Sequence, residues 1–116
     1  TEIGEYAFSS CTGLKEIVIP SGVKTIGLKR GHAFSDCTSL TKVEIEEGVT
    51  TIGQQAFYGC TNLAEVIIPD SVVTIGDSSF YNCKNLLIHS IRVAHYIWLQ
   101  YPHTSNFCIR LVDILL

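Results

Sequence analysis

Five cysteines and four histidines are the residues of this 116-residue chain with most scope for chemistry. Cys11, Cys37, Cys60 and Cys83 recur at one position of a repeated pattern, which raises three readings. A structural metal site needs close ligand pairs such as Cys-x-x-Cys, and no such pair occurs. Disulfides need converging Cβ vectors, whereas side chains stacked in register run parallel. A free cysteine that fills a small, buried, apolar slot fits the spacing best. Cys108 stands outside the series and is the candidate for an exposed thiol, with no neighbour that would activate it. The histidines are His32, His89, His95 and His103, and no Ser, Cys or carboxylate partner is placed near them by a motif. His89 is expected to take the place of an inward apolar strand residue of earlier units and so to mark the end of the repeat. No catalytic residue, cofactor or metal site is expected.

The elements that position these cysteines repeat with them. Phe8, Phe34, Phe57 and Phe80 each precede a cysteine by three residues, at intervals of 26, 23 and 23. A period of this length is the mark of a solenoid. Aligned on an Ile-Gly pair, the units run 1–24, 25–50 and 51–73, with a partial unit 74–86. The third runs Ile52-Gly53, Ala56-Phe57, Cys60, Leu63, Val66-Ile67-Ile68-Pro69 and Val72. The second is longer by Leu28-Lys29-Arg30, placed just after Gly27. There the extra residues can bulge as a loop without shifting a strand register. The glycine after each isoleucine is expected to make a sharp corner with positive φ.

Glu16-Ile17-Val18-Ile19, Lys42-Val43-Glu44-Ile45 and Glu65-Val66-Ile67-Ile68 alternate with period two and read as short strands. Their inward sets are Ile17/Ile19, Val43/Ile45 and Val66/Ile68. Thr25-Ile26, Thr51-Ile52 and Thr74-Ile75 read as a second series of short strands. Between the two series, the Phe-x-x-Cys spacing suits a helical or 3₁₀ turn with both side chains inward. No coil can bury its own apolar face. Stacking coils at about 4.8 Å buries ladders of like residues. The expected ladders are the four phenylalanines, the four cysteines Cys11, Cys37, Cys60 and Cys83, and the matching leucines and isoleucines.

These units resemble the BspA-type leucine-rich repeat, also called the Treponema type, whose pattern is close to Ile-Gly-x-x-Ala-Phe-x-x-Cys-x-x-Leu-x-x-Ile-x-Ile-Pro-x-x-Val. The resemblance spans residues 1–86 and fails at the Leu28–Arg30 insertion and after Leu86. It implies a repeat solenoid of leucine-rich-repeat type, right-handed and curved, of about four coils, with short parallel strands lining one face. It also implies a cell-surface or secreted protein engaged in adhesion or other protein binding.

Composition bounds the partners. The chain is 47% hydrophobic and 16% charged, with a net charge of −3. That favours a folded domain over disorder, and the absence of a basic stripe argues against nucleic acid. No run of 18 uncharged apolar residues suggests a transmembrane helix. Thr1-Glu2-Ile3-Gly4 lies inside a unit, so the chain reads as a piece of a longer protein, and no signal segment is evident in it.

Because the repeated residues point inward, a binding role falls to the outward strand positions. These form two rows, Glu16/Lys42/Glu65 and Val18/Glu44/Ile67, although Val18 and Ile67 also suit strand propensity alone. A host or extracellular-matrix protein is the expected partner, and the uncapped N-terminal coil offers a surface for self-association. The alternative is a structural spacer with no ligand of its own. Lys24, Lys29 and Arg30 read as a solvated loop. Residues 87–116 lose the pattern and contain no glycine. Leu87, Ile91, Ala94, Trp98 and Tyr101 share a helical stripe up to Pro102. This tail reads as a C-terminal cap over the last coil, as a partner-binding or membrane-surface segment, or as a non-native continuation of the repeat.

Overall fold

The computed structural model describes residues 1–27, 30–89 and 109–111, with 87–89 and 109–111 described as backbone only. The chain winds as a β-solenoid. One sheet, here sheet A, contains β1 (Glu2–Ile3), β3 (Thr25–Ile26), β5 (Thr51–Ile52) and β7 (Thr74–Ile75). Sheet B contains β2 (Glu16–Ile19), β4 (Lys42–Ile45), β6 (Glu65–Ile67), β8 (Leu86–His89) and β9 (Ile109–Leu111). Every pairing is parallel. In sheet B the register runs Glu16↔Lys42↔Glu65 and Ile17↔Val43↔Val66, so like positions of successive units face one another. Period-two alternation then puts Ile19, Val43, Ile45, Val66 and Ile68 in the core, each buried.

The stretch between the two strands of each coil forms a third side, and it is not helical. The residue two after each glycine corner or its equivalent (Tyr6, His32, Gln55, Ser78) lies in the left-handed region, with φ of 56°, 58°, 53° and 56°. So does the residue before each cysteine: Ser10, Asp36, Gly59 and Asn82, with φ of 59°, 58°, 75° and 64°. The expected one-turn contact does form: the amides of Cys11, Cys37, Cys60 and Cys83 donate to the carbonyls of Phe8, Phe34, Phe57 and Phe80 at 3.2–3.4 Å. A left-handed residue on either side of the phenylalanine stops that turn from propagating. Its amide turns outward along the solenoid instead. Tyr6, Phe8 and Ser10 donate to the carbonyls of Gly31, Ala33 and Ser35 at 3.2, 2.8 and 2.8 Å, and the next two coils repeat the pattern. Backbone hydrogen bonds thus stitch all three sides, which offsets the cost of about 1–2 kcal/mol for each left-handed residue.

The corner glycines work differently from the expectation. Of Gly4, Gly27, Gly53 and Gly76, only Gly27 has positive φ, at 68°. Gly53 and Gly76 are required by close approach of the coils: a Cβ on Gly53 would overlap the Gly27 carbonyl oxygen, and one on Gly76 would collide with the backbone of Gln54. The insertion sits where the sequence placed it. The offset between units changes to 26 after Ile26 in sheet A and before Lys42 in sheet B, so no strand absorbs it. Leu28 and Lys29 lie outside the described residues, while the Arg30 amide donates to the Glu5 carboxylate at 3.3 Å.

The phenylalanine ladder is continuous, with ring centroids 5.1, 5.2 and 5.5 Å apart and planes within 4°. Phe34, Phe57 and Phe80 are fully buried, whereas Phe8 is 38% exposed. Ile3, Cys11, Leu14 and Ile17 are likewise only partly buried, since no coil covers them on the N-terminal side among the described residues. The proposed C-terminal cap falls mostly outside the described residues, as do the helical stripe beyond Leu87, His95, His103 and Cys108.

Candidate interaction surface

The two outward rows expected from the sequence lie side by side on the outer face of sheet B. Glu16, Lys42 and Glu65 are successive register partners, and so are Val18, Glu44 and Ile67. Glu16 and Val18 are exposed, Val18 at 55%, and the other four are half-buried. Lys42 Nζ stands 3.8 Å from a Glu65 carboxylate oxygen. Glu16 flanks the same lysine on the other side by register, so a single cation lies in a row between two carboxylates. The face is acidic overall and bordered by two aliphatic side chains. Glu16, Ile17, Val18, Lys42 and Glu44 line a shallow depression of about 290 Å³ over β2 and β4.

A second, wider groove of about 660 Å³ runs along the corner that enters sheet B, lined by Lys15, Glu16, Ser39, Thr41 and Asn62. Except for Glu16, sequence reasoning did not single these residues out. Their polar character fits hydrogen bonds between coils: the Thr41 hydroxyl donates to the Lys15 carbonyl at 3.1 Å, and the Asn62 amide donates to the Thr38 carbonyl at 2.7 Å. The sequence carries no recurring signal for them, since the residues before Glu16, Lys42 and Glu65 are Lys15, Thr41 and Ala64.

The cysteines are engaged inside. The thiols of Cys37, Cys60 and Cys83 donate to the carbonyls of Phe8, Phe34 and Phe57 in the preceding coil, at 3.0, 3.1 and 3.2 Å. None of the four ladder cysteines is in a disulfide. Burial pushes the Cys60 thiol far above its ordinary value, and the neighbouring Cys83 and Cys37 thiols push the same way. Burial also raises Cys37. A thiol held protonated is neither a nucleophile nor a ready metal ligand. Among the described residues no cluster of His, Cys, Asp and Glu could hold a metal ion.

The histidines divide in the same way. His32 stacks on Tyr6 with centroids 4.9 Å apart. His89 is placed differently from the expectation. It pairs with Ile67, in the outward register row, and Ile88 pairs with the inward Val66. The offset from β6 to β8 is 22 residues instead of 23 (Glu65 to Leu87), so one residue is missing between Leu86 and the strand positions that follow it. A slip of one residue exchanges the two faces of a strand.

Residues 1–97 match the family profile described as "BspA type Leucine rich repeat region (6 copies)". A leucine-rich repeat protein of T. pallidum is similar in structure, with a TM-score of 0.71 and 33% identity over 78% of this chain and 42% of its own. A leucine-rich repeat protein from Bacteroides ovatus is similar with a TM-score of 0.73 and 29% identity, over 96% of this chain and 28% of its own. The chain therefore spans less than half the length of either. No curated protein matches significantly. No helix among the described residues is long and apolar enough to cross a membrane.

Proposed function

The chain belongs to the BspA-type leucine-rich repeat family, generally a protein-interaction scaffold, and from that premise we propose that it binds a protein partner through the outer face of sheet B. The observation that carries this reading is the division of labour within each strand. Every motif residue of the strands is spent on the core, while the positions between them place three carboxylates, one lysine and two aliphatic side chains together on one face. A broad parallel sheet of stacked coils is a common binding surface. The acidic excess favours a partner with lysine or arginine side chains around an apolar centre. Membership of this family supports the further reading of an adhesion role at a cell surface or after secretion, with a host or extracellular-matrix protein as partner.

Replacing Glu16, Lys42, Glu44 and Glu65 together by serine tests the reading. The quadruple variant is expected to keep its melting temperature and to lose at least tenfold in affinity for immobilised extracellular-matrix proteins. Unchanged affinity would leave the coils as a spacer, with no ligand on this face.

A further inference from the structure

The groove along the corner that enters sheet B has a chemistry of its own. It is built from two rows that flank the inward leucines Leu14, Leu40 and Leu63. Gly13, Ser39 and Asn62 form the row before the leucine, and Lys15, Thr41 and Ala64 the row after it. Backbone bonds hold these rows in register: the amides of Thr41 and Ala64 donate to the carbonyls of Lys15 and Thr41 in the preceding coil, at 2.8 and 2.9 Å. Gly13 carries no side chain, with open space where a Cβ would stand, and Ala64 carries only a methyl group. The rows therefore do not close over the groove, whose volume is about 660 Å³.

No aromatic or aliphatic residue is among Lys15, Glu16, Ser39, Thr41 and Asn62, which line it, so it offers little to an apolar ligand. Lys15 and Glu16 are adjacent and opposite in charge, which leaves no net charge to hold an ion. Hydrogen-bonding capacity remains. The Thr41 hydroxyl uses its proton on the Lys15 carbonyl, and the Asn62 amide nitrogen donates to the Thr38 carbonyl. Thr41 Oγ1 and Asn62 Oδ1 are left to accept, as is the Glu16 carboxylate. The Lys15 ammonium donates, and the Ser39 hydroxyl does both.

We infer that this groove binds a neutral saccharide. Several neighbouring acceptors call for a ligand that presents several neighbouring donors, and the oxygens of those donors must accept in turn from Lys15 and Ser39. The hydroxyls of a pyranose ring meet both demands, whereas a peptide backbone offers one donor per residue. The lining comes from three successive coils about 4.8 Å apart, so the groove crosses about 10 Å, the length of a disaccharide. Only Ser39 is half-buried and the other four side chains are exposed, so each bond replaces one to water and the affinity is weak, with a millimolar dissociation constant. The inference stands apart from the reading of sheet B as a protein-binding face, since only Glu16 belongs to both.

Saturation-transfer NMR on the full chain with lactose, cellobiose and N,N′-diacetylchitobiose tests it. At least one of the three is expected to show transfer. Ser39→Leu and Asn62→Leu are each expected to weaken that binding by about fivefold or more, the effect of losing one hydrogen bond and part of the groove. Thr41→Val keeps the side-chain shape and removes one oxygen. It is expected to weaken binding by about twofold or more and to leave the melting temperature unchanged. Val18→Ser, on the outer face of sheet B, is expected to leave saccharide binding as it is. No transfer from any of the three sugars, or transfer that survives all three groove substitutions, would overturn the inference. So would an equal loss in Val18→Ser, which would move the saccharide onto the sheet, or displacement of the sugar by inorganic sulfate, which would make Lys15 the centre of an anion site. Protein binding by sheet B is read separately, through the quadruple serine variant.

Discussion

The first and third coils carry nearly the same residues in opposite circumstances. Phe57, Cys60, Leu63 and Ile52 are buried completely, while Phe8 is 38% exposed and Cys11, Leu14 and Ile3 are only partly covered. The motif is as good in one coil as in the other. Burial in this fold therefore belongs to the stack and not to the unit, because each coil depends on neighbours for its apolar contacts. The same side chain is a core residue in the middle of the solenoid and an end-plate residue at its rim.

The sharpest way to break this comparison is to truncate the same rung twice. Phe57→Ala removes a ring packed on both faces, by Phe34 and Phe80, and is expected to cost about 3–5 kcal/mol. Phe8→Ala removes a ring packed on one face and already in partial contact with water, so it should cost less than half as much. Urea unfolding of both variants measures the difference. Equal losses would show that the first coil is as fully committed to the core as the third.

That contrast also marks what was legible in the sequence. The inward ladders, the two strand series and the position of the insertion follow from spacing alone, because a residue type repeated at a fixed interval has few ways to be accommodated. Three things were not legible. The Phe-x-x-Cys turn suggested a helical segment, but left-handed residues such as Tyr6, Ser10, Gln55 and Asn82 belong to no shared type. Only the need to donate amides to the next coil explains them. The corner glycines suggested φ, but at Gly53 and Gly76 the reason is the distance between coils, which a single chain segment does not reveal. His89 was misplaced because the loss of one residue after Leu86 is invisible once the motif fades. On the outer face of sheet B, the rows of Glu16/Lys42/Glu65 and Val18/Glu44/Ile67 could be drawn from alternation, whereas the corner groove of Lys15, Ser39, Thr41 and Asn62 could not, since it requires knowing where one coil turns into the next.

The cysteines sharpen the comparison in a second way. Cys60 lies between Cys37 and Cys83, fully buried, with its thiol on the Phe34 carbonyl, and its folded pKa is raised above the reference value of 9.0. The sign follows directly. An unfolded thiol ionises near pH 9 while the folded one stays protonated, so the unfolded state loses protons first. The stability due to the buried thiol is full below pH 9.0 and falls as the pH rises above it. Thermal unfolding at pH 7 and pH 10 should show this alkaline loss, and Cys60→Ala should reduce it at a cost in neutral stability of about 1–2 kcal/mol. Equal pH dependence in wild type and Cys60→Ala would break the assignment.

The smallest expected effect lies on the outer face, where the comparison turns from stability to recognition. Lys42 and Glu65 pair at 3.8 Å with side chains 43% and 39% exposed, a geometry that contributes about 0–1 kcal/mol after screening by solvent. Lys42→Ala should therefore barely move the unfolding midpoint, and added salt should erase what difference there is. Its consequence for binding has the opposite sense from that of the glutamates. Among the outward residues of β2, β4 and β6, Lys42 is the one cation beside three carboxylates, so its removal deepens the negative field over these strands. Association with a lysine-bearing partner should quicken at low ionic strength and not at high, because a surface charge acts mainly on the encounter rate. A slower association would mean that Lys42 itself contacts the partner, and the centre of the site would then be the Lys42–Glu65 pair instead of the acidic rows around it.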